Sequence, residues 1–439
     1  MKSSPVDTLP MPQTPPPAAT STAGVSRRAL IWFAVFMLAA STFLNYMDRQ
    51  ALALLSRPIQ AELVMDDRAY SYVVNAFMVA YMLGNVFAGL VLDRFGPFKA
   101  LTIFVGVWSL AGAAAGLADT SFQLGIARFV LGLFETGNFI AAPIIVSLLL
   151  AARHRALGVG IYTAAAMLGA AASPPLVTWI GEFVGWRQAF VIVGAAGLVW
   201  VVVWQFLPLS KLASAAAQTD EAGDTAGRLS ILTWRGALKE RKVWAYAMGS
   251  MLTYPVWFFY LNWFPKYLTD ERGLSTLQMG SRAWVVFLCA GIGCLLAGSI
   301  IGWLVARRIA PVQARLWVLG AVCVVMPLGA VNYFEPPITV SLALSAGVAL
   351  VHMIWQTTLT SLQLELFTAP SLGKVLGTAG VASGLGGIFS TWLIGHTVSI
   401  VSYKPMFVVI SLVYAVALVL MMLLLRAPAG AASAPGSAR

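Results

Sequence analysis

From about residue 30 to about residue 426 the chain keeps returning to continuous Leu/Val/Ala-rich runs of about twenty residues. A run of that length crosses the hydrocarbon core of a bilayer as a helix. The hydrocarbon offers no partner to a backbone N–H or C=O, so only a helix or a closed barrel can occupy it. The runs are unbroken rather than short and alternating, which rejects a β-barrel. Only 10% of the 439 residues are charged, against about 25% in a soluble domain. The fold class is therefore an all-α integral membrane protein embedded in lipid. Twelve spans are expected, over 30–56, 70–92, 100–118, 122–150, 156–180, 186–208, 243–268, 277–306, 312–332, 336–362, 373–397 and 404–426.

The stretch 209–242, with Lys211, Asp220, Glu221, Asp224 and Arg228, is the long hydrophilic interruption, and it falls near the midpoint. It separates six spans in 30–208 from six in 243–426, the pattern of two pseudo-symmetric bundles facing a central cavity. On this reading 209–242 is a cytoplasmic linker, 1–29 a disordered Pro/Ser/Thr/Ala-rich cytoplasmic tail and 427–439 a second cytoplasmic tail. The net charge of +11 does not point to nucleic acid, because the basic residues sit in short loops between spans. Arg27, Arg28, Arg94, Lys99, Arg153, Arg155, Arg307, Arg308, Arg315, Lys374 and Arg426 fall on one side and fewer on the other. The richer side is the cytoplasm, which puts both termini there and the protein in the inner cell membrane. Cys289, Cys294 and Cys323 lie inside apolar segments and imply neither disulfide nor metal. Gly373, Gly377, Gly380, Gly384 and Gly387 alternate four and three apart, so they share a helix face suited to close packing and rocking.

Within the first span, Asp48 stands beside Arg49, and within the fourth, Arg128 and Glu135 are seven apart. An ionised side chain facing lipid costs roughly 3 kcal/mol on insertion scales, so intramembrane charges persist where they face protein or a water-filled cavity. A position near the membrane surface, where arginine can snorkel, is the alternative for the first pair. Arg128 and Glu135 are two turns apart on one helix face, able to point inward together without being direct neighbours.

Gly89, Asp93, Arg94, Gly96 and Lys99 follow the second span in the spacing G-x-x-x-D-R-x-G-x-x-[RK]. This resembles the loop between the second and third helices of the major facilitator superfamily. Asn45, Tyr46, Asp48 and Arg49 resemble the first-helix signature of the anion:cation symporter family within it. Tyr81, the stretch from Arg128 through Gly132, Glu135 and Gly137 to Phe139, and Pro174-Pro175 continue the likeness. Gly185 to Phe190 extends it, and Pro255 to Leu268 is similar to the hexuronate-transporter branch. His352, Trp355, Phe367 and Gly384 to Gly387 carry it toward the end of the chain.

The resemblance implies a proton-coupled carrier of a small organic anion, plausibly a sugar acid, working by alternating access as a monomer. It implies that Asp48 and Glu135 take up protons and that Arg128 partners the fourth-helix acid. Arg49 would meet the substrate carboxylate, for which its planar fork is suited. Tyr46 and Tyr81 would hydrogen-bond substrate in the cavity, and Gly89, Asp93, Arg94, Gly96 and Lys99 would latch one conformation. Tyr260 and Thr358 are further candidates for the substrate wall. His352 carries two readings, a partner for a substrate hydroxyl or a satisfied packing histidine, with the weight on packing. Trp257, Tyr260 and Trp263 broadly share a face that could stack on a sugar-like ring or form an interfacial belt. No metal, nucleotide or prosthetic group is implied, and protons are the coupling ion.

The chain also departs from the family. Tyr254 stands where the hexuronate branch has an acid, Thr358 where it has asparagine, Glu365 where it has aspartate, and Ile144 where it is often polar. The second-half substrate wall has thus changed while the charged apparatus of the first half is kept. A proton-independent exchanger or facilitator is the nearest alternative function. A transporter-like sensor would need a larger cytoplasmic extension, and a membrane-embedded enzyme a catalytic cluster that the scattered His154, His352 and His396 do not make.

Overall fold

The computed structural model describes residues 27–150, 152–208, 234–367 and 369–425. The expected N-terminal tail up to residue 26, all of the expected C-terminal tail and most of the expected linker lie outside these. The first half comprises α1 (Arg27–Leu54), the short α2 (Ser56–Glu62), α3 (Asp67–Ala115), α4 (Ser121–Leu149), α5 (Ala152–Val184) and α6 (Trp186–Gln205). The second half begins with the short α7 (Trp234–Lys239), then α8 (Arg241–Asn262), α9 (Phe264–Asp270) and α10 (Thr276–Ala306). It continues with α11 (Pro311–Val325), a 3₁₀ segment (Met326–Phe334), α12 (Ile338–Leu366), α13 (Ala369–Val398) and α14 (Lys404–Leu425).

Nine helices among the described residues are long and apolar enough by themselves to cross a membrane. One of them, α3, is two spans. Its 49 residues would reach more than ~70 Å as a straight rod, over twice the hydrocarbon thickness. Gly96, at φ 72° and ψ 162°, breaks it where the next residue is Pro97. That left-handed φ is open to glycine and strained for other residues. The less apolar α8 and the glycine-rich α13 complete the twelve crossings, two pseudo-symmetric six-helix bundles in a multi-pass membrane protein.

The ends follow local chemistry. Asp66 accepts from the Ala69 N–H at 2.7 Å to start α3, and Ser275 with Gln278 forms a reciprocal capping box at α10. Trp263 and Pro265 split the expected span over 243–268 into α8 and α9. The unexpected α2 is tied to α6 by Glu62, which accepts from the Trp186 indole at 2.6 Å and Arg187 at 2.9 Å. These two donors hold the exposed Glu62 carboxyl below its ordinary range.

The bundles meet along two symmetry-related pairs, α5 against α10 and the first half of α3 against α13. Glycines on α10 at 280, 291, 298 and 302 share one face by helical spacing. A methyl at Gly280 would strike Thr178 and the Pro174 carbonyl, and one at Gly291 would touch Met167, yet at Gly298 and Gly302 it would meet nothing within 4 Å. On α13 a methyl at Gly395 would lie 2.4 Å from Ser71 and one at Gly384 3.2 Å from Met82, while at Gly380 it would meet nothing within 4 Å. Both pairs therefore touch from the Asp67 end to mid-height and splay toward the end that carries Arg94, Lys99 and Arg307.

Close backbone approach within a bundle yields a direct test. A Cβ at Gly293 would sit 2.2 Å from the Leu350 carbonyl oxygen, a backbone atom that cannot swing aside. Gly293→Ala is expected to cost about 1–3 kcal/mol by overpacking, read as a lowered melting temperature in detergent.

Candidate functional site

The splayed space holds a cavity of about 310 Å³ whose wall is shared by both halves. The first half contributes Arg49, Phe77, Met78, Tyr81, Met82 and Asn85. The second contributes Tyr246, Ser250, Tyr254 and Phe258 from α8, Gln356 and Thr360 from α12, and Ala379, Gly380, Ser383 and Gly384 from α13. Arg49 is the charged side chain among the described residues that line it.

Arg49 is held from behind and from the sides. Its Nε and Nη2 donate to one oxygen of Glu135 at 3.0 and 2.8 Å. Its guanidinium lies 4.7 Å from the ring centre of Tyr81, 5.2 Å from Tyr46 and 5.4 Å from Phe77, a three-sided aromatic box. Glu135 is fully buried, and its second oxygen has no hydrogen-bond partner. Two of the five N–H donors of the guanidinium are spent on Glu135. The guanidinium also meets Tyr81 and borders the cavity.

Behind this pair a polar seam joins α1 to α4 and α5. Ser41 donates to the Asn138 side-chain oxygen and Asn138 donates to Thr42, both at 2.9 Å, while Gln50 donates to the Ala170 carbonyl at 3.0 Å. Asn45 donates to the Glu135 carbonyl at 3.3 Å. These bonds tie α1 to α4 and α5 and set the rotation of α1 at which Arg49 faces the cavity.

Arg128, which the resemblance made the partner of Glu135, acts on it through charge without a direct hydrogen bond or ion pair. Its Nη1 and Nη2 donate to the main-chain carbonyls of Asp48 and Arg49 at 3.0 and 3.1 Å, with the guanidinium 4.9 Å from the Phe77 ring. The reason is geometric: two turns of α4 separate Arg128 from Glu135, and Arg49 fills the nearer place. Asp48 points away from the cavity toward α3, where a Cβ on Gly112 would lie 2.8 Å from its Oδ1. Neither oxygen of this buried carboxyl has a hydrogen-bond partner.

Tyr46 and Tyr81 stand beside Arg49 as described, Tyr46 edge-on to Phe139. Tyr260, His352 and Thr358 are not brought to the cavity. Tyr260 is packed against Phe259 and Phe264. His352 is wholly buried, stacked on Trp257 at 5.9 Å and 4° and hydrogen-bonded to the Tyr414 hydroxyl, which places it in packing. Thr358 is also wholly buried, because Gln356 and Thr360 occupy the cavity side of the same helix. Trp257 and Trp263 are buried too, so the aromatic triplet is neither a ring platform nor a lipid belt. α8 instead presents Tyr246, Ser250, Tyr254 and Phe258 to the cavity. That wall was legible as an i, i+4 stripe, which the more conspicuous tryptophans masked.

Among the departures, Tyr254 is 39% exposed on the cavity wall. Glu365 instead pairs with Arg315 at 2.9 Å, away from the cavity lining. Of the loop residues, Asp93, Arg94 and Lys99 are exposed at the splayed end, and Arg94 lies over Phe95. Asp93 has no ion-pair partner among the described residues, and a Cβ at Gly89 would meet nothing within 4 Å. At the closed end, Lys266 of α9 reaches Asp67 of α3 at 2.9 Å.

Two helical bundles around a shared, one-sidedly open cavity define a membrane carrier. The family model of the Major Facilitator Superfamily matches residues 38–365, so the chain belongs to that superfamily and is a transporter rather than an enzyme. It is 25% identical over 406 residues to the hexuronate transporter of Escherichia coli K12, covering 88% of this chain and 91% of that protein. It is 28% identical over 404 residues to the D-galactonate transporter of Escherichia coli O6:H1, covering 87% and 92%. In fold it is similar to the xylose transporter XylE from E. coli in an inward open conformation, with a TM-score of 0.70 at 14% identity over 91% of this chain and 98% of that one.

The buried Arg49–Glu135 pair predicts a stability signature. Removing one partner strands a charge and costs about 3–5 kcal/mol, whereas removing both relieves it. Glu135→Ala is expected to lower the melting temperature more than Arg49→Met combined with Glu135→Ala does, a cycle read by thermal unfolding of the purified variants.

Proposed function

We propose that this protein imports a small organic monoanion, a sugar acid or related monocarboxylate, by proton symport and alternating access. The observation that carries the reading is Arg49: one cation, boxed by aromatic rings, in a cavity whose second-half wall is hydroxyl, amide and apolar. A carboxylate meets the free edge of the guanidinium, and Tyr81, Asn85, Tyr254, Gln356 and Ser383 suit a hydroxylated remainder. The names of the similar hexuronate and D-galactonate transporters support the same substrate chemistry.

Glu135 and Asp48 are the acids available for coupling. A proton on Glu135 removes the negative charge that competes with substrate for Arg49. A proton on Asp48 removes an unpaired charge between α1 and α3. In this scheme protonation frees Arg49 for the substrate, and Arg128 holds the α1 backbone between the two acids.

Proteoliposome uptake tests the scheme. Glu135→Gln keeps an acceptor for Arg49 and cannot ionise. It is expected to retain substrate counterflow and to lose accumulation driven by acid outside, with Asp48→Asn showing a related defect. Accumulation by Glu135→Gln equal to wild type excludes Glu135 as the coupling acid. If neither variant loses proton drive, a proton-independent exchanger or facilitator becomes the reading.

The basic loops support an orientation in the inner membrane. Arg94, Lys99, Arg307 and Arg308 crowd the splayed end, and an excess of Lys and Arg marks the cytoplasmic face. The state would then be open to the cytoplasm, with both termini on that side and the protein acting as a monomer. A cysteine replacing Lys99 is expected to resist an impermeant thiol reagent in intact cells and to react in inverted vesicles. Labelling in intact cells reverses the orientation.

A further inference from the structure

The end of the molecule opposite the basic loops is shut by a contact whose chemistry is uneven on its two sides. Lys266 is almost entirely buried, its side chain 6% exposed, and it bonds two carboxylates. Asp67, at the start of α3, belongs to the first bundle and lies 2.9 Å away. Asp270 is one turn further along α9, the same seven-residue helix as Lys266, and moves with it. Around them, the Tyr70 hydroxyl donates to the Asn262 carbonyl at 2.9 Å, Tyr70 packs edge-on against Trp263 at 5.2 Å, and Ser71 abuts Gly395. Also packed nearby are Glu271, which accepts from the Tyr403 N–H, and Tyr403, whose hydroxyl faces Asp270 at 3.5 Å, with Lys404 and Glu335 beside Glu271 and Arg128 beside Tyr70.

Alternating access requires this end to part. Breaking a buried ion pair is costly chiefly because it leaves a charge without a partner. Here Lys266 does not lose both partners: separation of the bundles takes Asp67 away and leaves Asp270 in place.

We propose that Lys266 is the gate cation of this end, exchanged between Asp67, which closes it, and Asp270, which holds the ammonium when it opens. The two carboxylates then have opposite effects on one equilibrium. Asp67 stabilises the closed end alone. Asp270 is present in both states, but in the open state it is the sole partner, so its loss penalises opening more than closure. A purely structural salt bridge would move the equilibrium in one direction whichever acid is removed.

The test needs no substrate, so its failure is separable from failure of the transport reading. Spin labels at Leu117→Cys and Ile400→Cys, exposed sites in the two bundles near the closed end, report the gap in a background lacking the native cysteines. The full-length protein is measured in nanodiscs by pulsed electron resonance. Asp67→Asn is expected to raise the long-distance population several-fold over the unmodified gate, and Asp270→Asn to lower it. Lys266→Met, which leaves both carboxylates facing each other, is expected to follow Asp67→Asn. Each variant is first checked for monodispersity, and the isosteric Asn changes lie at sites 21% and 29% exposed. A shift of both Asn variants in the same direction, or no shift in either, overturns the proposal.

Discussion

A buried arginine inside a bilayer needs a counter-charge, and that requirement organises the first half of this protein. Arg49 can face a cavity only because Glu135 on α4 neutralises it from behind and three rings shield its flanks. The polar seam of Ser41, Thr42, Asn45, Gln50 and Asn138 is the price of holding α1 at that rotation. Arg128 serves the same end by binding the carbonyls of Asp48 and Arg49. The cation, its acid and the two helices that carry them form one unit.

The second half answers with a different surface. Among the described residues it adds no charge to the cavity, and its larger polar groups are engaged elsewhere: Glu365 with Arg315, Lys404 with Glu335 at 3.3 Å, and His352 with Tyr414. The cavity wall is therefore divided. One bundle brings the Arg49 guanidinium to it, and the other brings hydroxyls, an amide and apolar rings. A ligand spanning both would tie the two bundles across the cavity, which is how binding can bias their relative position.

That position is set by small residues as much as by charges. Glycines at 280, 291, 384 and 395 allow α5 to meet α10 and α3 to meet α13 at the Asp67 end, and their counterparts at 298, 302 and 380 face open space. The same helix faces can carry contact at either end, since each glycine row runs past mid-height. The closed end carries the Lys266–Asp67 ion pair between the bundles, whereas at the open end Asp93 has no ion-pair partner among the described residues.

The sequence by itself determined the class, the twelve crossings and the charged residues of the first half. Long apolar runs admit one backbone solution in a bilayer, and a charge within one must face protein or water. Asp48, Arg49, Arg128 and Glu135 were legible for that reason, and the loop from Gly89 to Lys99 because its turn needs Gly96. Partners were not legible. That Glu135 takes Arg49 instead of Arg128, and that Asp48 turns to Gly112, depends on helix rotation fixed by contacts 80 or more residues apart. Tyr254, Gln356 and Ser383 reach the cavity while Tyr260, His352 and Thr358 do not. In a chain this apolar, hydrophobic pattern does not distinguish the lipid face from the cavity face, and only the packing of one helix against another decides which side looks inward. Lys266 and Asp67 lie in different halves, and only the tertiary structure makes them neighbours.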